Sequence, residues 1–483
     1  MTGSKALRYV RNAGYAPAHD QTIYKGLFGF YHTPVPVERN NPSGIGVESP
    51  AKEMHKLREV FEMTSVSAVS FWGRWNIAAG VLAAVLLFSA VASGFETDDM
   101  PELVEGNTEF ALDIFGVLCG EETEGNLFFS PYSISTALGM TWAGARGSTE
   151  SQMADVLHFT LPQSGLHDAF ASLQEKLSEE YRASLVYGEG DALTLEVANA
   201  LWVEESYPLL QEYTELVESK YGAVATNLDF TMNPEGSRQT INEWVAEKTR
   251  DRIRDLIPPG VITALTRVVL TNAVYFKGSW LYEFDEGMTA DGEFNTLDGR
   301  IVEVPMMHQV EEFAYGELMG CRAISLPYCD NMSSMLIMMP DEDILEFERN
   351  LDREALEAIT ISLSRRSVDL TMPKFEFTSS FGLSEVLAGM GMPDAFESAA
   401  ADFSGFIGRP ELFISAVIHK AFVKVDETGT EAAAATAVVM AVECVSIPEP
   451  PVELVLDRPF LFLVRDELTG TILFMGRVAN PVG

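Results

Sequence analysis

The chain has 483 residues, of which 47% are hydrophobic, enough apolar material for one large core or for two or three ordinary domains. It carries 71 acidic against 33 basic residues, a formal net charge of -38, which repels nucleic acid, heparin and anionic membrane and keeps the protein soluble. No DNA or heparin partner is expected, and the acidity reads as adaptation to a salty milieu.

In chain order, residues 1–62 hold scattered basic residues, Pro34, Pro36 and the polar run from Glu38 to Gly44, with no periodic core pattern. They read as a disordered leader, or as the product of a start codon placed too early with Met63 as the true start. Residues 63–94 carry a different demand. Arg74 precedes the apolar run Ile77 to Phe88 and then Ala90-Val-Ala92, the charged flank, apolar stretch and small-residue site of a signal peptide cut after Ala92. The alternative is an uncleaved anchor, because Trp75 to Phe95 is uncharged and long enough to cross a bilayer. Glu96, Asp98, Asp99 and Glu102 follow without a base, so either way the remainder, 95–483, is expected outside the cell, touching membrane only if the anchor stays.

The four cysteines do not suggest a disulfide framework. Cys321 and Cys329 flank Arg322 to Tyr328, and in one strand their separation is about 26 Å, beyond bridging range. Cys444 stands apart as a loop residue, exposed and open to reaction or simply tolerated.

The folded unit opens with a helix whose buried face takes Phe110, Leu112, Ile114, Phe115 and Leu118. Asn126 to Met140 is a short strand turning into a helix, with Ser130 as cap and Pro131 in the first helical position. Thr149 to Ala154 starts another helix, capped by Ser148 or Thr149. Ile241 to Thr249 is amphipathic, with Ile241, Trp244 and Val245 inward. Thr266 to Trp280 reads as a strand buried on both faces. Ala421 to Asp426 is strand-like, and Glu427-Thr-Gly-Thr-Glu-Ala-Ala-Ala-Ala-Thr436 runs on into Ala437 to Ser446. By propensity this Ala-rich stretch is a helix start or linker. By period two, Thr430, Ala432, Ala434, Thr436, Val438, Met440 and Val442 share an uncharged face with Glu431 and Glu443 opposite, and the stretch is then able to slide into a sheet.

From about Leu103 onward, the order of these segments, with Leu456-Asp-Arg-Pro-Phe-Leu-Phe-Leu-Val464 and Thr469 to Pro481 at the end, resembles the serpin family, in an inhibitory, prokaryotic form. The resemblance implies an α+β fold with three β-sheets, about eight or nine helices and an exposed reactive-centre loop. It implies a shutter of Ser130, Ser133, Asn272 and His419, the histidine a gate hinge and not a base. It places Trp280 at the breach where the loop enters the sheet, with Lys374 paired to Glu427 to hold the sheet's top closed. The hinge is Glu427, Gly429, Thr430, Glu431, Ala432, Ala433, Ala434, Ala435 and Thr436. Family spacing puts the reactive bond between Glu443 and Cys444, with Cys444–Val445 and Val445–Ser446 open.

The implied partner is a target protease, serine or alternatively cysteine, trapped by a monomeric suicide substrate. No Arg or Lys lies in the loop from Thr428 to Glu453, which disfavours a trypsin-like target; Glu443 suits a glutamate-preferring protease and Val445 an elastase-like or subtilisin-like one. A non-inhibitory carrier or chaperone remains the alternative. A serine hydrolase lacks its Gly-x-Ser-x-Gly elbow, and no metal-ligand spacing or phosphate loop occurs, so neither enzyme activity nor a metal or cofactor is expected.

Overall fold

The computed structural model describes residues 99–178, 194–430 and 450–482. The leader, the apolar segment and the loop residues Glu431 to Thr436, Glu443, Cys444, Val445 and Ser446 lie outside the described residues.

The described chain is mixed α+β. Helix α1 (Met100–Glu121) buries Phe110, Leu112, Ile114, Phe115 and Leu118. Strand β1 (Leu127–Phe129) then runs into α2 (Pro131–Trp142), where the Ser130 side chain accepts the Ser133 N–H and Pro131 occupies the first turn, where a missing N–H costs nothing. Helix α3 (Gly147–Leu157) corrects the expected cap: its cap residue is Arg146, without a side-chain bond. Ser148 instead donates to Asp394, and the Thr149 hydroxyl accepts the Asp402 N–H. Helices α4 (Gln163–Leu177) and α5 (Gln211–Tyr221) complete this helical face. Ten α-helices occur among the described residues against eight or nine expected, the excess coming from single-turn pieces such as Ser404–Ile407.

Among the described residues, hydrogen bonding runs the strands into two continuous sheets, two of the three expected sheets being joined through one long strand. One has six strands in the order β10 (Phe375–Gly382), β11 (Ile414–Asp426), β12 (Gly429–Thr430), β4 (Val268–Ser279), β2 (Thr194–Glu204), β3 (Val224–Leu228); the other has nine, running β1, β15 (Ile472–Val478), β14 (Phe460–Asp466), β8 (Ser333–Pro340), β7 (Cys321–Pro327), β6 (Ile301–Leu318), β9 (Ser364–Pro373), β13 (Val452–Val455), with β5 (Ala290–Asn295) on β6. The union comes from β6 (Ile301–Leu318), an 18-residue strand long enough to serve two sheets. It pairs β5 (Ala290–Asn295) at its start, β7 (Cys321–Pro327) at its end and β9 (Ser364–Pro373) between. Cys321 and the residues up to Pro327 do form one strand, and among the described residues Cys119, Cys321 and Cys329 are in no disulfide.

The six-stranded sheet is built on β4 (Val268–Ser279), in which only Lys277 escapes full burial. A strand covered on both faces needs apolar side chains on both. One face of β4 (Val268, Leu270, Val274, Phe276) joins the main core; the other (Val269, Ala273) lies under α6 (Pro234–Lys248), whose Ile241 and Val245 are buried, while Trp244 stands edge-on to Trp202 at 5.4 Å.

Candidate functional site

The functional geometry lies along one seam of this sheet, between β4 and β11 (Ile414–Asp426). The two strands pair directly and in parallel from Ile414/Val268 to Ala421/Val274. Above that point a third strand stands between them. The two residues of β12, Gly429–Thr430, pair antiparallel with Asp426 and Val425 on one side and with Ser279 and Gly278 on the other. The chain makes this turn because residue 429 is glycine. Its φ is +152°, and a Cβ there would lie 2.2 Å from the Gly278 carbonyl oxygen. Thr430 is buried, and its hydroxyl meets that of Tyr328 at 2.8 Å. The first residue of the uncharged face read from the sequence is thus already in the sheet.

Below the opening, the shutter residues form one closed polar network. Asn199 on β2 (Thr194–Glu204), Asn272 on β4 and His419 on β11 occupy a single row across three adjacent strands. Asn272 Nδ2 donates to Ser133 Oγ and Asn199 Oδ1, and Asn272 Oδ1 accepts from His419 Nδ1. The Ser130 backbone N–H donates to His419 Nε2 (3.1 Å), so Nε2 is unprotonated and the ring proton sits on Nδ1. Ser130 Oγ donates to the Leu473 carbonyl at 2.6 Å. All five side chains are buried. Burial pushes the His419 imidazole from 6.5 down to about 3, against a smaller opposing effect of Asn272, so the ring is neutral and serves as a hinge pin.

At the top, the Trp280 ring stacks on Tyr328 at 4.8 Å and its indole N–H donates to the Asp426 carbonyl (3.1 Å). The Trp280 amide donates to the Thr428 carbonyl. Lys374 Nζ meets Glu427 Oε2 at 2.6 Å, and Thr289 Oγ1 donates to Glu427 Oε1 at 2.8 Å. Burial works against the Glu427 charge, but the bonds from Lys374 and Thr289 outweigh it and hold the carboxyl below its usual range. The pairing is as expected; its effect is not. It does not close the sheet's top, because β12 already parts the strands there. Instead it anchors the residue from which β12 turns back.

The sequence matches the family model for "Serpin (serine protease inhibitor)" over residues 105–481. The chain belongs to the serpin family. It is 37% identical over 392 residues to the human leukocyte elastase inhibitor, with 79% of this chain covering all of that protein. It is 40% identical over 380 residues to an uncharacterized serpin-like protein of Thermococcus kodakarensis, covering 78% of this chain and 86% of that one. Among solved structures, Serpin48 of the insect Tenebrio molitor superposes with a TM-score of 0.69 at 28% identity, covering 80% of this chain and 99% of that one.

Among the described residues, then, the structure brings together Ser130, Ser133, Asn272 and His419, and separately Trp280, Lys374, Glu427, Gly429 and Thr430. Sequence reasoning missed Asn199, which completes the row, and Tyr328, which floors the opening. A signal for the first existed: Asn199 is the one amide inside the run Ala198 to Val203 of a buried strand. For Tyr328, which follows β7 and bridges to Trp280, no pattern in the neighbouring sequence indicated that it would lie beneath Thr430.

Proposed function

We propose that this serpin inhibits a protease as a suicide substrate, with the scissile bond at Glu443–Cys444, or one or two residues further at Cys444–Val445 or Val445–Ser446. The single observation that carries this is β12: two loop residues already serve as sheet strand between β4 and β11. Continued in the same antiparallel register, a cleaved loop would set Ala432 opposite Phe276, Ala434 opposite Val274, and Thr436 between Asn272 and His419. The apolar face read from the sequence is then the core face, and Thr436 supplies a hydroxyl where the Asn272–His419 bond is lost. Ala433, Ala435 and Ala437 would face α6, where only small side chains pass beneath a packed helix.

Each ladder hydrogen bond contributes about 1 kcal/mol net, so a dozen inserted residues with their apolar face supply on the order of 10 kcal/mol or more. That suffices to drag an acylated protease and distort an active site that tolerates little displacement. The uncleaved form is then a kinetic trap. The target is a serine protease or, alternatively, a cysteine protease. The globular part, residues 95–483, acts as a monomer outside the cell, following residues 1–62 and a signal peptide or anchor at 63–94. That last reading rests on Arg74, the apolar run and the acidic residues after it.

Incubation with a glutamate-specific protease, an elastase, a subtilisin and a papain-like enzyme tests the proposal. The expected result is a complex that survives denaturing electrophoresis, with a released peptide starting at one bond. Loop cleavage without any complex overturns inhibition in favour of a carrier role.

A further inference from the structure

At the level of the first residue beyond Thr430, the two strands that flank the opening both present a lysine. A strand that continued the β12 registers one step beyond Thr430, which pairs with Gly278 and Val425, would meet Lys277 on β4 and Lys424 on β11. Both lysines lie on the α6 side of the sheet, by alternation from the core-facing Phe276 and Val425. Residue 431 is glutamate.

The same two lysines bear on the closed sheet. The direct β4–β11 ladder ends at Ala421/Val274. Three further steps in that register would set Lys424 directly opposite Lys277, with side-chain bases about 5 Å apart, and like charges placed so destabilise a strand pair. With a strand between them the backbones are about 10 Å apart and an acid in the middle reaches both. The next strand outward continues the alternation, because Glu376 on β10 (Phe375–Gly382) pairs with Lys424. Lys424 also meets Asp426 at 3.1 Å, and Thr194 is the neighbour of Lys277 on β2.

Resting on the insertion reading above, we propose that Lys277 and Lys424 are positioning residues for insertion. Their mutual repulsion keeps the upper seam from zipping shut, and together they form a carboxylate site that receives Glu431 as the loop enters. The row then reads Glu376, Lys424, Glu431, Lys277, alternating in sign across four strands. A charge at position 431 thereby assists entry and does not obstruct it.

The test uses the full chain, cleaved in its loop by subtilisin, with Trp280 fluorescence following insertion and the thermal midpoint confirming it. K424E, which would pair with Lys277 and repel Glu431, is expected to slow insertion about three- to tenfold at low salt, and K424M by less. High salt should slow wild type while leaving K424M nearly unchanged. The charge-reversed row E376K/K277E/K424E/E431K, which restores the alternation across all four strands, should return to within about twofold of wild type, which a merely structural lysine would not allow. Insertion of K424E at the wild-type rate, or no rescue by reversal, overturns the lysine site while leaving inhibition intact. Cleaved wild type with no gain in thermal midpoint overturns both.

Discussion

The lower and upper halves of one seam are held by opposite kinds of chemistry. Below, β4 and β11 pair directly and the row Asn199, Asn272 and His419 is neutral, buried and fully bonded. Above, the strands are parted by two residues of the loop itself, and the anchoring Lys374 is 37% exposed while its partner Glu427 is 7% exposed. Buried neutral networks cost the full desolvation of every orphaned group when broken, whereas in the upper pair the lysine is open to water and only the Glu427 carboxylate is buried. The seam is therefore a zipper with an open end, its backbones paired from Val274–Ala421 downward, and its first side-chain tooth is the Asn272–His419 bond.

The comparison breaks most severely at that tooth. Replacing Asn272 with Leu leaves the His419 Nδ1–H without its acceptor and takes a donor from Ser133 and Asn199, which keep only their bonds to each other, and should lower the uncleaved protein's unfolding free energy by about 4 kcal/mol, read as a fall in the denaturant midpoint. Next comes the open end. Gly429→Val puts a branched side chain into the Gly278 carbonyl at a positive φ, and should expel β12 at about 3 kcal/mol, seen as faster amide exchange at Gly278.

Acid separates the seam from the helical face. His419 in the seam and His167 on α4, whose Nδ1 meets the Tyr221 hydroxyl at 2.6 Å, are both lowered by burial, to about 3 and about 4. Unfolded imidazoles take up protons below about pH 6.5 while these stay neutral, so stability is full above pH 6.5 and falls below it. Each ring contributes about 1.4 kcal/mol per pH unit until its folded value is reached. Thermal unfolding of His167→Phe between pH 7 and 4.5 should lose about half of the histidine-linked slope, leaving the part due to the seam. The smallest effect belongs to the ion pair: Lys374→Met leaves the buried Glu427 carboxylate with the Thr289 bond alone, should cost about 2 kcal/mol and loosens only the upper seam, which amide exchange at Trp280 and Phe284 would report.

Much of the lower seam was legible because its residues sit in long ordered motifs: Ser130-Pro131 states a helix start, and Asn272 and His419 are polar residues inside runs that otherwise read as buried strand. The Lys374–Glu427 pair was legible for the same reason, but its consequence was not. Whether Gly429 and Thr430 lie outside the sheet or within it depends on a balance between two strands far apart in sequence, Val268–Ser279 and Ile414–Asp426, and on the Tyr328 floor supplied by a third segment. The joining of two expected sheets into one turns likewise on the length of Ile301–Leu318, where alternation marks a strand without saying how many partners it serves.

The most direct measurement is amide hydrogen exchange with a thermal scan on the same sample before and after a single cut in the loop. The account predicts a midpoint raised by roughly 20 °C or more, with new protection at Tyr275–Lys277 and Phe422–Lys424, the steps just above the closed ladder. An unchanged midpoint with those amides exchanging as before would contradict it, and β12 would then be a fixed turn and not the first step of insertion.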